Sequence, residues 1–293
     1  MALIENTIFG VEDKVADSIE ALKTFEPKEG YYVAFSGGKD SVVVKKLCDL
    51  AGVKYDAHYN VTSVDPPELV RFVKDIYPDV SFDIPHYDDG KPITMWNLIP
   101  KIGMPPTRLM RYCCGKLKED GGYGRLVVTG VRWAESSRRA KDRNLLEIGA
   151  NKKTSTNIKY LNNDNDETRA LVESCYRKKK TVLNPIINWE DDDVWEFIRK
   201  YNVPYCKLYD QGYERLGCIG CPMNTNRAQE LERYPKYRAA YLRAFGKMLK
   251  ARREREREST WESPEEVMYW WLSDGDKLEK PVDGQIEMNL EDL

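Results

Sequence analysis

Short apolar runs alternate along this chain with longer amphipathic ones. Residues 31–35 (YYVAF) are continuously apolar, break into SGGKDS and give way to VVVKKLCDL, the pattern of strand, glycine-rich turn and helix. Residues 54–61 predict a second strand. In the PPELVRFVKDIYP segment after it, Leu69, Phe72, Val73 and Ile76 recur at i, i+3, i+4 and i+7, the apolar face of a helix. Pro66 and Pro67 suit its first turn. Further strands are expected at 81–87 and in RLVVTGVR (125–132), and a helix at 92–102. Val194, Phe197, Ile198 and Tyr201 mark another helix, whose start carries Asp191–Asp193, acids that favour a helix N-terminus. This alternation predicts an α/β fold, a Rossmann-like parallel sheet with helices on both faces.

Past residue 245 the pattern changes. KMLKARREREREST is charged nearly all round, with Arg–Glu pairs at i, i+3, and reads as a solvated helix. Ser263-Pro264-Glu265-Glu266 has the form of a capping box with proline at the first helical position. It opens a helix bearing Val267, Met268, Trp270 and Trp271, and an acidic tail follows Gly275. The expected organisation is a main domain over 1–245 and a helical extension with its tail over 246–293.

Composition adds boundaries. Hydrophobic residues make up 41% and charged residues 32%, an ordinary globular balance, and the net charge of −2 supplies no global attraction to nucleic acid or membrane. Basic clusters at 132–143 and 177–180 are at most local anion sites. No apolar run approaches a membrane span and residues 1–14 lack a signal-peptide core, so a cytoplasmic protein is expected. With 7 cysteines and no export signal, reduced thiols or a metal site are favoured over disulfides. Only 2 histidines, His58 and His86, are present, which disfavours a Ser-His-Asp triad or a histidine-rich zinc site.

Two motifs carry candidate chemistry. Ser36-Gly37-Gly38-Lys39-Asp40-Ser41 lies between a strand end and a helix start, where glycines admit phosphate oxygens to the backbone and the helix N-terminus favours negative charge. Lys39 can place an ammonium on a phosphate, Ser36 and Ser41 supply hydroxyls, and Asp40 suits Mg²⁺ held between pyrophosphate oxygens. The loop is neither the Walker A pattern nor the dinucleotide GxGxxG. The second motif is a pair of cysteine doublets, Cys113-Cys114 and the CxxC of Cys218 and Cys221. On ligand type alone both zinc and an iron–sulfur cluster fit. The side chains of adjacent cysteines diverge, which is awkward for one tetrahedral zinc but lets each thiolate bind a different iron of a [4Fe-4S] cubane.

SGGKDS resembles the pyrophosphatase (PP) loop of the adenine nucleotide α-hydrolase superfamily, whose members cut ATP between the α- and β-phosphates. Over about residues 28–245 the chain resembles the phosphoadenosine phosphosulfate reductase family. Gly130-Val131-Arg132-x-x-Glu135-Ser136-x-x-Arg139 is similar to that family's GVRxxESxxR nucleotide-binding segment. Asp65, in Ser63–Glu68, falls where the family reads the adenine nucleotide, and Asn184-Pro185-Ile186 through Trp189 and Val194-Trp195 resemble its run into the CxxC. The cysteine layout is similar to that of adenosine phosphosulfate reductases and of the iron–sulfur sulfurtransferase of DNA phosphorothioation.

The resemblance implies ATP or an adenylyl sulfonucleotide as ligand, Mg²⁺, and a [4Fe-4S] cluster on Cys113, Cys114, Cys218 and Cys221. It implies Arg132 and Arg139 on phosphates or adenylate, with Lys39, Asp40 and Arg132 as candidate catalytic groups. Cys206, just before the CxxC, is the remaining thiol best placed to act as a catalytic persulfide carrier, and a small buried residue is the commoner reading of such a cysteine. A sulfur donor (a cysteine desulfurase or a thiol protein) is an expected partner, and a nucleic-acid acceptor is one option for the sulfur. Two departures from the reductases bear on the reaction. Nothing after Cys221 is cysteine or histidine, where reductases carry a nucleophilic cysteine in an ECGxH-type segment. Lys39 and Asp40 are both present, whereas the reductases usually have a degenerate loop. Both point to activation of ATP by a sulfurtransferase; sulfonucleotide reduction and a nucleotide-binding, redox-sensing regulatory role are the alternatives.

Overall fold

The computed structural model describes residues 3–7, 10–118, 121–135, 137–148, 156–158, 181–257 and 259–273. Ser136, Cys175, the basic run 177–180 and the tail beyond 275 lie outside the described residues. The chain divides into two compact units, Met1–Ile93 with Cys114–Cys218, and Thr94–Cys113 with Ile219–Leu293.

The first unit holds a hairpin of β1 (Ile4–Thr7) and β2 (Gly10–Asp13), α1 (Lys14–Thr24), and then β3 (Tyr31–Ala34), α2 (Lys39–Ala51), β4 (Tyr55–Asn60), α3 (Pro67–Ile76) and β5 (Ser81–Asp83). After α4 (Met95–Ile102) and α5 (Tyr112–Leu117) come β6 (Leu126–Val128), α6 (Ser137–Asp142), β7 (Leu146–Ile148), β8 (Thr156–Ile158), β9 (Thr181–Leu183) and α7 (Asp191–Lys200). The sheet order is β5-β4-β3-β6-β9-β7-β8. The five strands from β5 to β9 pair parallel, and β7 joins β9 and β8 antiparallel. The parallel α/β fold expected from the alternation is therefore the observed one. The short hairpin and the antiparallel edge are additions, because strands of three or four residues carry too little periodicity to read.

Chain progress reverses between β3 and β6. The chain runs outward through β4 and β5, then returns to place β6 on the other side of β3. In an open parallel sheet this reversal leaves a crevice at the carboxyl ends of the two strands, where ligands bind. The core beneath is large: Tyr31, Val33, Phe35, Val43, Leu47, Val73, Trp189 and Phe197 are all buried in one cluster.

In the second unit α9 (Pro235–Glu254) packs along α4 and α10 (Pro264–Leu272), with α8 (Arg227–Arg233) before it. Tyr241 meets Trp96 at 5.1 Å and Trp271 at 4.7 Å between ring centroids. The helix Pro235–Glu254 runs unbroken through residue 245, inside the unit made of Thr94–Cys113 and Ile219–Leu293. The charged stretch is also anchored, since Arg252 donates to the Gly103 carbonyl at 2.8 Å and Arg255 to that of Lys101 at 3.1 Å. Ser263 caps α10 through the Glu266 N–H as expected, while the Glu266 carboxylate accepts from Glu262 N–H, one residue outside the box. Among the described residues, no helix is long and apolar enough to cross a membrane.

Candidate functional site

The loop that leaves β3 is shaped by its glycines. Gly37 takes φ +73°, and a Cβ there would stand 2.7 Å from Val73 Cγ2 and 2.8 Å from Leu69 Cδ1. Gly38 is the N-cap of α2 and offers no side-chain cap, and the Ser41 and Val42 N–H groups turn back to its carbonyl at 3.0 and 3.1 Å. The two serines are used inside the loop: Ser41 Oγ donates to the Gly38 carbonyl at 2.8 Å, and Ser36 Oγ donates to Ser41 Oγ at 3.3 Å and accepts from Gly38 N–H at 3.4 Å. Gly130 brings the end of the β6 segment against the loop, for a Cβ there would lie 2.9 Å from Asp40 Cβ.

The charged groups form one network. Arg132, only 2% exposed, donates from Nε to Asp40 Oδ1 at 2.7 Å, from Nη1 to the Trp189 carbonyl at 3.1 Å and from Nη2 to Asp191 Oδ1 at 2.7 Å. Lys39 Nζ lies 3.0 Å from the same Asp191 oxygen and donates to the Glu214 carbonyl at 3.1 Å. The rings of Trp195 and Tyr209 flank this ammonium at 6.0 and 5.9 Å. Tyr209 OH accepts the Lys39 backbone N–H at 2.8 Å. Burial pushes the Asp191 carboxyl up, but hydrogen bonds from Lys39 and Arg132 outweigh it and hold the group below the usual carboxylate range.

Arg132, expected on the nucleotide, turns its whole fork to protein oxygens, and Arg139, expected there too, pairs with Glu135, which also accepts the Arg132 N–H at 3.2 Å. Asp65 is buried and closes a turn by accepting Thr62 N–H at 3.0 Å. Cys206 is 2% exposed in the apolar core, and burial pushes its thiol up, the opposite of what a persulfide carrier needs. Asp191, Tyr209 and Glu214 were missed. Asp191 read as a helix-start signal, yet Glu190 and Asp193 already form the capping box of α7, which leaves Asp191 surplus to that role.

The four motif cysteines are half-buried and none is in a disulfide. Cys114 and Cys218 belong to the first unit, Cys113 and Cys221 to the second. Within the first unit Lys118 is held charged chiefly by Cys218, against the cost of burial, with Asp65 and Cys114 adding to the hold. Within the second, the CxxC turn is pinned by Glu230, which accepts Gly220 N–H at 2.8 Å, by Arg227 on the Pro222 carbonyl at 3.2 Å and by Tyr241 OH on the Ile219 carbonyl at 2.9 Å. Among the described residues, no group of three or more His, Cys, Asp or Glu side chains is arranged to hold a metal ion. Gly220 takes φ +71°, and a Cβ there would meet Trp271 Cη2 at 2.9 Å. Gly220→Ala is therefore expected to destabilise the protein by about 2 kcal/mol, read as a lowered urea midpoint by circular dichroism. An unchanged midpoint would show that the turn tolerates a side chain.

Residues 30–224 match the family model described as phosphoadenosine phosphosulfate reductase domain. Adenosine 5′-phosphosulfate reductase 2 of Bacillus subtilis is 39% identical over 222 residues, covering 73% of this chain and 82% of that protein. An uncharacterized protein of Methanocaldococcus jannaschii is 27% identical over 221 residues, covering 71% of this chain. The chain spans only 40% of the length of that relative. Among solved structures, the phosphate complex of phosphoadenylyl-sulfate reductase from Candida auris is 16% identical with a TM-score of 0.45, covering 69% of this chain and 88% of that one.

Proposed function

The chain belongs to the phosphoadenosine phosphosulfate reductase family, and from that premise we propose that it cleaves ATP between the α- and β-phosphates to activate an acceptor for sulfur transfer. The observation that carries this reading is the complete loop Ser36–Ser41, with Lys39 and Asp40 both in place, at the reversal between β3 and β6. The amides at the start of α2 and Lys39 would hold the pyrophosphate that leaves. Asp40, kept in place by Arg132, would hold Mg²⁺ on those oxygens, and Mg²⁺ would offset their charge. Arg132 is then a positioning residue. An oxygen of the acceptor would attack the α-phosphorus, the bond to pyrophosphate would break, and the adenylylated acceptor would go on to lose AMP to a sulfur nucleophile. The sulfur would arrive from a cysteine desulfurase or a thiol protein, and a nucleic acid is one acceptor of suitable chemistry.

The donor chemistry of Cys113, Cys114, Cys218 and Cys221, four thiols without histidine, suits a [4Fe-4S] cluster, which would supply one-electron or sulfur chemistry when bound. Among the described residues no such ligand group is assembled. Iron and acid-labile sulfide in anaerobically purified protein, lost in Cys218→Ser, test that assignment.

A second reading, reduction of adenylyl sulfate to sulfite, is favoured by the 39% identity to the Bacillus subtilis reductase. One experiment separates the two. Anaerobic protein is given Mg²⁺ and either ATP or the sulfonucleotide with thioredoxin, and pyrophosphate, AMP and sulfite are measured. Pyrophosphate and AMP are expected from ATP, water taking the place of the absent acceptor at the α-phosphorus, and both fall about a hundredfold in Lys39→Ala. Sulfite from the sulfonucleotide, without pyrophosphate from ATP, would overturn the first reading for the second.

A further inference from the structure

Two donors of the loop that a phosphate would need are already engaged by the protein. The Lys39 ammonium sits on Asp191 Oδ1 at 3.0 Å, and the Lys39 backbone N–H is taken by Tyr209 OH at 2.8 Å. Both acceptors come from the segment after β9, on or beyond α7. They differ in how firmly they are held. Tyr209 is wedged beside Trp195 at 5.2 Å between centroids, whereas the Asp191 side chain is 64% exposed at the first position of α7. A carboxylate that bridges two cations while facing solvent can rotate away without opening the core.

We infer that Asp191 is an internal stand-in for phosphate, filling the cation site of the loop until a polyphosphate displaces it, and so sets the affinity of that loop. The inference rests on the reading of Ser36–Ser41 as a phosphate site. The chemistry is competition for Lys39: the Asp191 carboxylate and a phosphate oxygen need the same ammonium. Arg132 stays behind on Asp40 and the Trp189 carbonyl, so the loop keeps its shape when Asp191 leaves. A ligand binding only the vacated state has its apparent affinity lowered by the fraction of molecules still occupied by Asp191. Asp191 is thus a positioning residue that acts through Lys39.

The test is calorimetric titration of the full chain with pyrophosphate and with ATP, each with and without Mg²⁺. Asp191→Asn keeps the side-chain shape and removes the charge that holds Lys39. It is expected to tighten pyrophosphate binding about fivefold, while Asp191→Glu, which restores the carboxylate, returns the affinity toward that of the parent. A merely structural role would not produce this tightening and its reversal. Weaker or unchanged binding in Asp191→Asn, with pyrophosphate binding intact in the parent, would overturn the inference and leave the loop reading standing. Absence of pyrophosphate and ATP binding in parent and variant alike would overturn both.

Discussion

Gly37→Ala is expected to lower stability by about 3 kcal/mol and to abolish pyrophosphate binding, whereas Gly38→Ala, one residue on, costs about 0.5–1 kcal/mol. The difference is steric. Gly37 has φ +73°, in the left-handed region where a Cβ meets its own backbone, and that Cβ would also press on Val73 and Leu69, both buried on α3. Neither neighbour can retreat, because both belong to the main core cluster. Gly38 has φ −76°, and its nearest atoms, Ser36 Oγ and Tyr209 OH, are at 3.4 Å. Alanine there is tolerated by the fold, but its methyl stands beside the N–H groups that a phosphate would approach. Urea denaturation of the two variants should therefore separate widely while both lose pyrophosphate affinity. Equal midpoints would show that the loop conformation does not depend on glycine at 37.

Arg132→Ala is expected to cost about 3 kcal/mol, and Arg132→Lys not to restore it. The guanidinium is almost fully enclosed and serves three oxygens at once. Its bond to Asp191 counts for little, since that carboxylate is 64% exposed and screened by water. The loss falls on Asp40, only 24% exposed, and on the buried Trp189 carbonyl, which is left without its charged donor. An ammonium offers no planar fork and reaches at most one of these well. The urea midpoint of both variants against the parent measures this, and a lysine variant as stable as the parent would return Arg132 to the role of a ligand-facing arginine.

What the sequence by itself determined is the local chemistry. The break from YYVAF to SGGKDS specifies strand, turn and helix because apolar period and glycine content are properties of adjacent residues. The same holds for the face of α3 and the proline at the start of α10. Family membership was legible for a related reason, since the loop, GVRxxESxxR and the cysteine doublets are contiguous strings. What only the tertiary structure decided is the partner of each charge. Lys39, Arg132, Asp191 and Tyr209 are far apart in the chain, and nothing in their local spacing says that Asp191 meets the Lys39 ammonium and Tyr209 its backbone N–H. The order of the strands brings β3 beside β6 and β9, and that order carries Arg132 and Asp191 to the Ser36–Ser41 loop. Between a buried cysteine and a persulfide carrier at Cys206 the structure gives burial, because a thiol's exposure depends on what packs over it rather than on its neighbours in sequence.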